Sequence, residues 1–250
     1  MSRGVLVTGA SRGIGRAVAC AFARDGDRVA VHHATRRADA ADTVAALPGS
    51  GHVLVDGDLA DPDQVEAVVA AAADALGGVD VLVNNAAVMT PHPPATTGYA
   101  DWCAAWRATV DVDLLGAAHA SHCVARRLID RGAPGWIVNV GSRGAFRGEP
   151  DHPAYAASKA APHALGQSLA VALAPHRISV TSVAPGFVAT ERVAGRLSGP
   201  GGEDIRAQSP FGRVAEPEEV AAAVHYLASP AAVWSSGAVL DVNGASHLRT

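Results

Sequence analysis

The sequence predicts an α/β fold, a doubly wound parallel sheet of about seven strands with helices on both faces. Short runs rich in Val, Ile and Leu alternate with longer Ala-rich segments whose apolar residues recur at helical spacing. The short runs are continuously apolar rather than alternating, which indicates strands covered on both faces. Strands that alternate with helices form right-handed βαβ units, and such units build a parallel sheet.

The predicted strands are 4–9, 28–33, 51–58, 80–86, 136–142, 178–186 and 238–244. The predicted helices are 14–25, 62–76, 103–130, 154–174 and 217–228. No repeat or linker divides the chain, so we expect a single domain over residues 1–250. Residues 187–216 form a segment of about 30 residues with little periodicity, which is too long for a simple connection and predicts a substrate lid.

Composition excludes several classes of protein. Hydrophobic residues make up 49% and charged residues 18% of the chain, as in a well-cored globular protein, and the net charge of −4 does not favour nucleic-acid binding. No long apolar stretch predicts a membrane span or a leader, and the scattered Cys20, Cys103 and Cys123 fit reduced thiols, so we expect a cytoplasmic protein. His119 and His122 share a helix face without a completing ligand, and we predict no metal.

A glycine-rich turn, TGASRGIG at 8–15, joins the first strand to the first helix. Glycines at 9, 13 and 15 allow the backbone to turn tightly and approach a phosphate closely, while the helix N-terminus offers free N–H groups to the anion. The spacing G-x-x-x-G-x-G differs from that of a phosphate-binding loop ending in Gly-Lys-Ser/Thr. The turn predicts a dinucleotide site.

The end of the second strand bears on the type of dinucleotide. NAD-preferring sites usually place an acidic residue there, but VAVHHATRRADA has no carboxylate before Asp39. Arg12, Arg36 and Arg37 offer guanidinium groups for a 2′-phosphate, which favours NADP(H) over NAD(H). The alternative is that Arg36 and Arg37 simply begin a solvated helix.

A candidate acid–base pair lies in SRGAFRGEPDHPAYAASK at 142–159. Tyr155 and Lys159 are spaced i, i+4, which places them on one face of a helix. Free Tyr titrates near pH ~10, and a neighbouring cation lowers that pKa. Ser142 offers a hydroxyl that can hydrogen-bond a substrate oxygen. By itself the pair is weak evidence, because an exposed helix face produces it by chance.

Together these segments resemble the short-chain dehydrogenase/reductase (SDR) family, most closely its β-ketoacyl-acyl-carrier-protein reductase type. The matching segments, in the family's order, are TGASRGIG at 8–15, Asp58-Leu59, NNAA at 84–87, Ser142, Tyr155-x-x-x-Lys159 and PGFVAT at 185–190. The resemblance implies a single-domain Rossmann fold and NADPH-dependent reduction of a ketone to a secondary alcohol. Tyr155 would be the general acid in reduction and the base in oxidation. Lys159 would lower the Tyr155 pKa and hold the nicotinamide ribose, and Ser142 would polarise the carbonyl.

The resemblance also assigns the dinucleotide contacts. Asp58 and Leu59 would flank the adenine, Asn85 and Ala86 would pass along the dinucleotide through their backbone, and Asn84 would brace the strand end. The residues implied to bind the cofactor are Gly9, Ser11, Arg12, Gly13, Ile14, Gly15, Arg36, Asp58, Leu59, Asn85, Ala86, Tyr155, Lys159, Pro185, Gly186, Val188 and Thr190. Ordinary loop capping is the alternative for Thr190 and Asn84.

Two departures from the family's pattern bear on Lys159. Asp113 stands where the family usually has an Asn that helps hold a water between the Lys and solvent. An ionised Asp113 near Lys159 would offset the cation and raise the Tyr155 pKa, so we count it with the catalytic residues. Pro162, three residues after Lys159, predicts a kink in that helix unless it lies early enough to be harmless.

The sequence does not distinguish between two classes of substrate, a 3-oxoacyl thioester and a free small or polycyclic ketone. The pocket is predicted along 88–99, 143–152 and 187–211. Arg131 and Arg177 are candidates for docking an acyl carrier protein. The Ala-rich helices resemble the family's dimer-forming pair, so we expect a homotetramer. An NADP(H)-binding sensor or scaffold without catalysis is the alternative function, with Asp113 in its favour and the intact Ser, Tyr and Lys against it.

Overall fold

The computed structural model describes residues 2–249. One seven-stranded sheet, parallel throughout, has the order β3-β2-β1-β4-β5-β6-β7. The strands are β1 Gly4–Val7, β2 Arg28–His33, β3 Val53–Asp56, β4 Val81–Asn84, β5 Gly135–Val140, β6 Ile178–Pro185 and β7 Val239–Val242. The predicted fold class is confirmed, and each predicted strand overlaps an observed one.

The helices are α1 Gly13–Arg24, α2 Arg37–Ala46, α3 Pro62–Leu76, α4 Tyr99–Val110, α5 Ala117–Asp130, α6 Gly144–Arg147, α7 Pro153–Leu173, α8 Ala194–Ser198, α9 Gly202–Ala207 and α10 Pro217–Leu227. The short α8 and α9 lie within the predicted lid, which is therefore partly helical. The helix α2 was not predicted, and it begins directly after Arg36, as the solvated-helix interpretation of that segment requires.

Two apolar cores lie on the two faces of the sheet. In β1, Val5 and Val7 belong to one core with Phe22, while Leu6 belongs to the other with Leu82. Successive side chains of a strand point to opposite faces, so a strand covered on both faces needs apolar residues at every position. This is the physical basis of the continuous apolar runs.

The sheet order reverses between β1 and β4. The strands β2 and β3 follow β1 on one side of it, and β4 then lies on the other side of β1. The connections that leave β1 and β4 diverge at this point and open a crevice at the carboxyl ends of the strands, where such sheets bind ligands.

The predicted helix 103–130 is observed as α4 and α5, joined by a π-helical segment, Asp111–Gly116. A π-helical turn inserts an extra residue into the helix and often marks a functional site. Gly116 lies so close to Leu59 that a Cβ there would be 2.7 Å from the Leu59 carbonyl oxygen. The insertion therefore occurs where the helix packs tightly beneath the crevice.

Pro162 does not end α7, which is a single helix from Pro153 to Leu173. A proline at this position cannot donate to the carbonyl of Ser158, so one helical hydrogen bond is missing one turn after Tyr155. In the part of the chain that the structure describes, no helix is long and apolar enough to cross a membrane.

Candidate active site

The crevice between β1 and β4 contains a cavity of about 600 Å³. Ser142 lines it together with the residues for which the family resemblance implied dinucleotide contacts, namely Gly9, Ser11, Arg12, Gly13, Ile14, Gly15, Arg36, Asp58, Leu59, Asn85, Ala86, Tyr155, Lys159, Pro185, Gly186, Val188 and Thr190. These residues come from seven separate loops or helix ends, and the fold brings them to one place.

The glycine turn leaves no room for side chains. Gly9 has φ +63°, and a Cβ on it would lie 2.8 Å from the Cα of Ala86. A Cβ on Gly15 would lie 2.6 Å from Nδ2 of Asn85 and still closer to the carbonyl oxygen of Gly9. These approaches hold the turn flat against β4 and expose its backbone to the cleft.

His32 at the end of β2 braces the same turn, a role that the sequence did not indicate. Its Nδ1 accepts from the Gly9 N–H at 3.1 Å, and its Nε2 donates to the Gly57 carbonyl at 3.0 Å. Burial lowers the pKa of His32 to about 4, so the ring is neutral at pH 7. Asn85 braces the turn from β4, because its Nδ2 donates to the carbonyls of Thr8 and Gly9 at 2.9 and 3.0 Å.

The N-terminus of α1 faces the cleft without a side-chain cap. Arg12 is the N-cap residue, and its side chain makes no capping hydrogen bond. The first amides of a helix have no intrahelical acceptor, and they carry the positive end of the helix dipole. An uncapped helix start beside a flat glycine turn fits the pyrophosphate of a dinucleotide.

Three guanidinium groups face the cleft. Arg12, Arg36 and Arg192 all line it, and desolvation followed by repulsion from Arg36 and Arg192 lowers the pKa of Arg12. Arg36 also pairs with Asp39 at 3.2 Å, where both side chains are largely exposed. Arg192, which the sequence analysis missed, donates to the carbonyl of Ala87 at 3.0 Å across the cleft. The sequence signal that could have identified Arg192 as a cleft residue is its position just after the PGFVAT segment.

Tyr155 and Lys159 lie on consecutive turns of α7 and face the cleft, as their spacing predicts. The two side chains do not share a hydrogen bond. Lys159 Nζ lies 5.8 Å from the centroid of the Tyr155 ring and donates to the Val140 carbonyl at 3.0 Å. Ser142, in the loop after β5, accepts from the Gly144 N–H at 3.0 Å through Oγ.

The pKa of Tyr155 is raised above its ordinary value. Desolvation is the largest cause, and the neighbouring Ser142 hydroxyl and the Arg192 charge oppose it. Lys159 directs its ammonium toward Val140 and Asp113, and burial lowers its own pKa. Tyr155 is therefore protonated at neutral pH, which suits a proton donor.

Asp113 lies outside the large cleft, behind Lys159. Its Oδ2 is 3.8 Å from Lys159 Nζ and accepts from the Ser158 hydroxyl at 3.3 Å, while its Oδ1 accepts from the Val88 N–H at 2.7 Å. Burial raises the pKa of Asp113, and Lys159 opposes the rise. In turn Asp113 raises the pKa of Tyr155, the direction expected from the sequence.

A second, small cavity of about 10 Å³ lies between Asp113, Lys159, Asn84 and Asn139. Its volume is close to the minimum for one water molecule. Asn84 donates through Nδ2 to Asn139 Oδ1 at 2.9 Å, so it braces β4 against β5 rather than lining the large cleft.

Arg131 and Arg177 lie at the end of the sheet opposite the cleft. Arg131 follows α5, donates to the Val79 carbonyl and pairs with Asp80 at 3.1 Å, while Arg177 immediately precedes β6. Both positions are at the amino ends of the strands, away from the cleft. Across residues 2–249, no cluster of three or more His, Cys, Asp or Glu residues is arranged to hold a metal ion.

Comparison with known proteins agrees with this geometry. Residues 9–247 match the family model described as enoyl-(acyl carrier protein) reductase. The chain is 39% identical over 248 residues to cis-4-hydroxycyclohexanecarboxylate dehydrogenase of Sinomonas cyclohexanicum, covering 97% of this chain and 95% of that protein. A short-chain dehydrogenase of Burkholderia cenocepacia J2315, solved in complex with NADP, has a TM-score of 0.87 and 32% identity, covering 98% of this chain and 97% of its own. The 3-ketoacyl-(acyl-carrier-protein) reductase of Brucella melitensis, solved with NADH, has a TM-score of 0.88 and 28% identity over 98% of both chains.

The protein belongs to the short-chain dehydrogenase/reductase family, as its motifs indicated. It is an NAD(P)-dependent oxidoreductase acting on CH–OH and C=O groups. The solved relatives hold NADP in one case and NADH in the other, so they do not distinguish between the two dinucleotides.

Proposed function

We propose that the protein is an NADPH-dependent reductase that converts a ketone to a secondary alcohol. The observation that carries the proposal is the convergence of Ser142, Tyr155 and Lys159 on one wall of a cleft whose other end has an uncapped helix start and a glycine turn. NADPH, when bound, supplies the hydride. The protein supplies placement, a proton donor and a polar contact for the carbonyl oxygen.

Each residue has a distinct role in this reaction. The Ser142 hydroxyl donates to the ketone oxygen and orients it. Tyr155, protonated because desolvation raises its pKa, transfers its proton to that oxygen and acts as the base in the reverse direction. The Lys159 ammonium is fixed by Val140 and Asp113, and it steadies the phenolate that forms.

The charge pattern at the adenosine end supports NADP(H) over NAD(H). Arg12 and Arg36 bring two positive charges there, and His33 stands at the end of β2 where an NAD site would place a carboxylate. The acidic neighbours of this end are Asp39, which pairs with Arg36 at 3.2 Å, and Asp58, which lines the cleft. Arg36→Gln should raise the KM for NADPH more than that for NADH, and equal increases would contradict the preference.

The remaining assignments concern the whole chain. The segment 187–216 acts as a lid over the substrate within a single domain, and α4, α5 and α7 form the contacts of a homotetramer. The free thiols of Cys20, Cys103 and Cys123 agree with a cytoplasmic location. The substrate is a 3-oxoacyl thioester or a small or polycyclic ketone.

The test is NADPH oxidation, followed by absorbance, with a panel of alicyclic ketones, ketoses and 3-oxoacyl thioesters. Turnover of at least one compound is expected, and Tyr155→Phe should reduce kcat by about a hundredfold or more while NADPH still binds. Tight NADPH binding with no turnover of any compound would favour the sensor instead. Equal activity of the parent and Tyr155→Phe would remove Tyr155 from the mechanism.

A further inference from the structure

Two further guanidinium groups line the substrate end of the cleft, apart from Arg12 and Arg36 near the adenosine end. Arg143 immediately follows Ser142, and Arg196 belongs to α8 of the lid segment. Their Cζ atoms lie 5.1 and 5.2 Å from the ring centroid of Phe187. All three residues line the same cleft as Tyr155.

Arg143 is a buried cation that has no carboxylate partner among residues 2–249. Only 5% of the residue is exposed, and its guanidinium donates to two neutral groups, Ser246 Oγ at 2.7 Å and Gln208 Oε1 at 3.0 Å. Arg147 donates to the same Gln208 oxygen at 2.7 Å, so two cations share one amide acceptor. Burial, and then the charge of Arg147, lower the pKa of Arg143.

Within residues 2–249, no carboxylate lies within 4.0 Å of the guanidinium of Arg143, Arg147 or Arg196. Glu149 also lines this end of the cleft and is the nearest acidic influence on Arg143, but it does not form an ion pair. A buried charge without a counter-charge is costly, and an anionic ligand can supply the missing partner.

We propose that the substrate is a small ketone carrying an oxyanion, a carboxylate or a phosphate, which Arg143 and Arg196 bind beside Phe187 while the ketone oxygen meets Ser142 and Tyr155. Guanidinium groups bind both kinds of oxyanion through paired N–H donors, and the Phe187 ring covers the carbon skeleton. This inference rests on the proposed ketone reduction. It disfavours a carrier-bound thioester, whose phosphate lies many bonds from the ketone.

Two matched pairs of ketones test the inference by turnover. The first is 4-oxocyclohexanecarboxylate with its carboxamide, and the second is dihydroxyacetone phosphate with dihydroxyacetone. In at least one pair the anionic member should have a kcat/KM about tenfold to a hundredfold higher, the range of one charge-assisted contact. The pair that shows the preference identifies the oxyanion.

Substitutions locate the effect in the proposed residues. Arg196→Gln should bring the ratio of kcat/KM between the anionic and neutral members of the preferred pair close to one. Arg196→Lys should retain part of this ratio, and Glu149→Gln should increase it. Arg126→Gln is the matched control, because Arg126 is an exposed arginine on α5 outside the cleft. An unchanged ratio in Arg196→Gln would overturn the assignment.

A binding measurement separates this inference from the proposed reaction. Cyclohexanecarboxylate should raise the Tm of the NADPH complex more than cyclohexanecarboxamide does, and Arg196→Gln should remove that difference. Selective binding without turnover of any ketone would retain the anion site and overturn the reductase. Turnover of both pairs without preference for the anionic members, together with equal Tm shifts, would overturn the anion site and leave the reductase standing.

Discussion

At the scale of single residues, Asp113 contributes to the pKa of the candidate acid, Tyr155. Its carboxylate is buried 3.8 Å from Lys159 and raises the pKa of Tyr155. An Asn in its place would keep the Val88 N–H contact through its amide oxygen and would lose the negative charge. The electrostatic effect can therefore be separated from the packing.

Asp113→Asn should lower the pKa of Tyr155. Reduction needs protonated Tyr155, so the alkaline limb of the profile of kcat/KM against pH should move to lower pH. Asp111→Asn, in the same π-helical segment but without an ion pair to Lys159, is the control and should retain the parent profile. Superimposable profiles of the parent and Asp113→Asn would reject the coupling.

His32 offers a second prediction at this scale. His32→Leu removes the acceptor for the Gly9 N–H and leaves the Gly57 carbonyl without its donor. The glycine turn should loosen, and the Kd for NADPH should rise by about tenfold, measured by fluorescence titration. His52→Gln should change the Kd little, because His52 precedes β3 and accepts from the Val29 N–H at the far end of β2.

At the scale of elements, the β1–α1 unit depends on close backbone approaches. Gly15→Ala would press a methyl group against Asn85 and the Gly9 carbonyl, which are held by β1 and β4 and cannot move aside cheaply. Gly195→Ala is the matched control, since Gly195 is also helical and no atom lies within 4 Å of its would-be Cβ. Gly15→Ala should lower both the Tm and NADPH affinity, and Gly195→Ala should lower neither. Equal behaviour of the two variants would contradict the packing argument.

The π-helical segment is one element that the sequence pattern did not reveal. It lies inside a continuous helical stretch, and a single π-helical turn has no sequence pattern of its own. Tight packing of Gly116 on Leu59 is a long-range contact and leaves no local pattern. The helix was therefore predicted in the correct place but as regular α-helix.

At the scale of the whole molecule, buried imidazoles couple stability to pH. Burial lowers the pKa of both His32 and His163 to about 4 from an ordinary value of 6.5. The charges of Arg249 and Lys159 lower the pKa of His163 further, and the charge of Asp241 opposes them. Between pH 6.5 and 4 the two imidazoles bind protons in the unfolded chain but not in the folded chain. The free energy of unfolding therefore falls as the pH falls.

The free energy of unfolding should decrease by roughly 2 kcal/mol per imidazole between pH 7 and pH 5, as measured by urea denaturation. His163→Phe keeps an aromatic ring stacked on Phe146, at 5.2 Å between centroids, and removes one titrating group, so the decrease should become smaller. His176→Gln, at an exposed position, should leave the decrease unchanged. A decrease in His163→Phe as large as in the parent would refute this assignment.

The sequence by itself determined the fold class, the glycine turn and the Ser142, Tyr155 and Lys159 segment. These depend on local rules, since strand period, glycine permissiveness and i, i+4 spacing are properties of short stretches of chain. The tertiary structure alone decided where the Lys159 ammonium points, that desolvation raises the pKa of Tyr155, and that Arg143 and Arg196 each lie over the Phe187 ring. Burial and charge separation depend on residues far apart in the chain, so only the folded arrangement sets them.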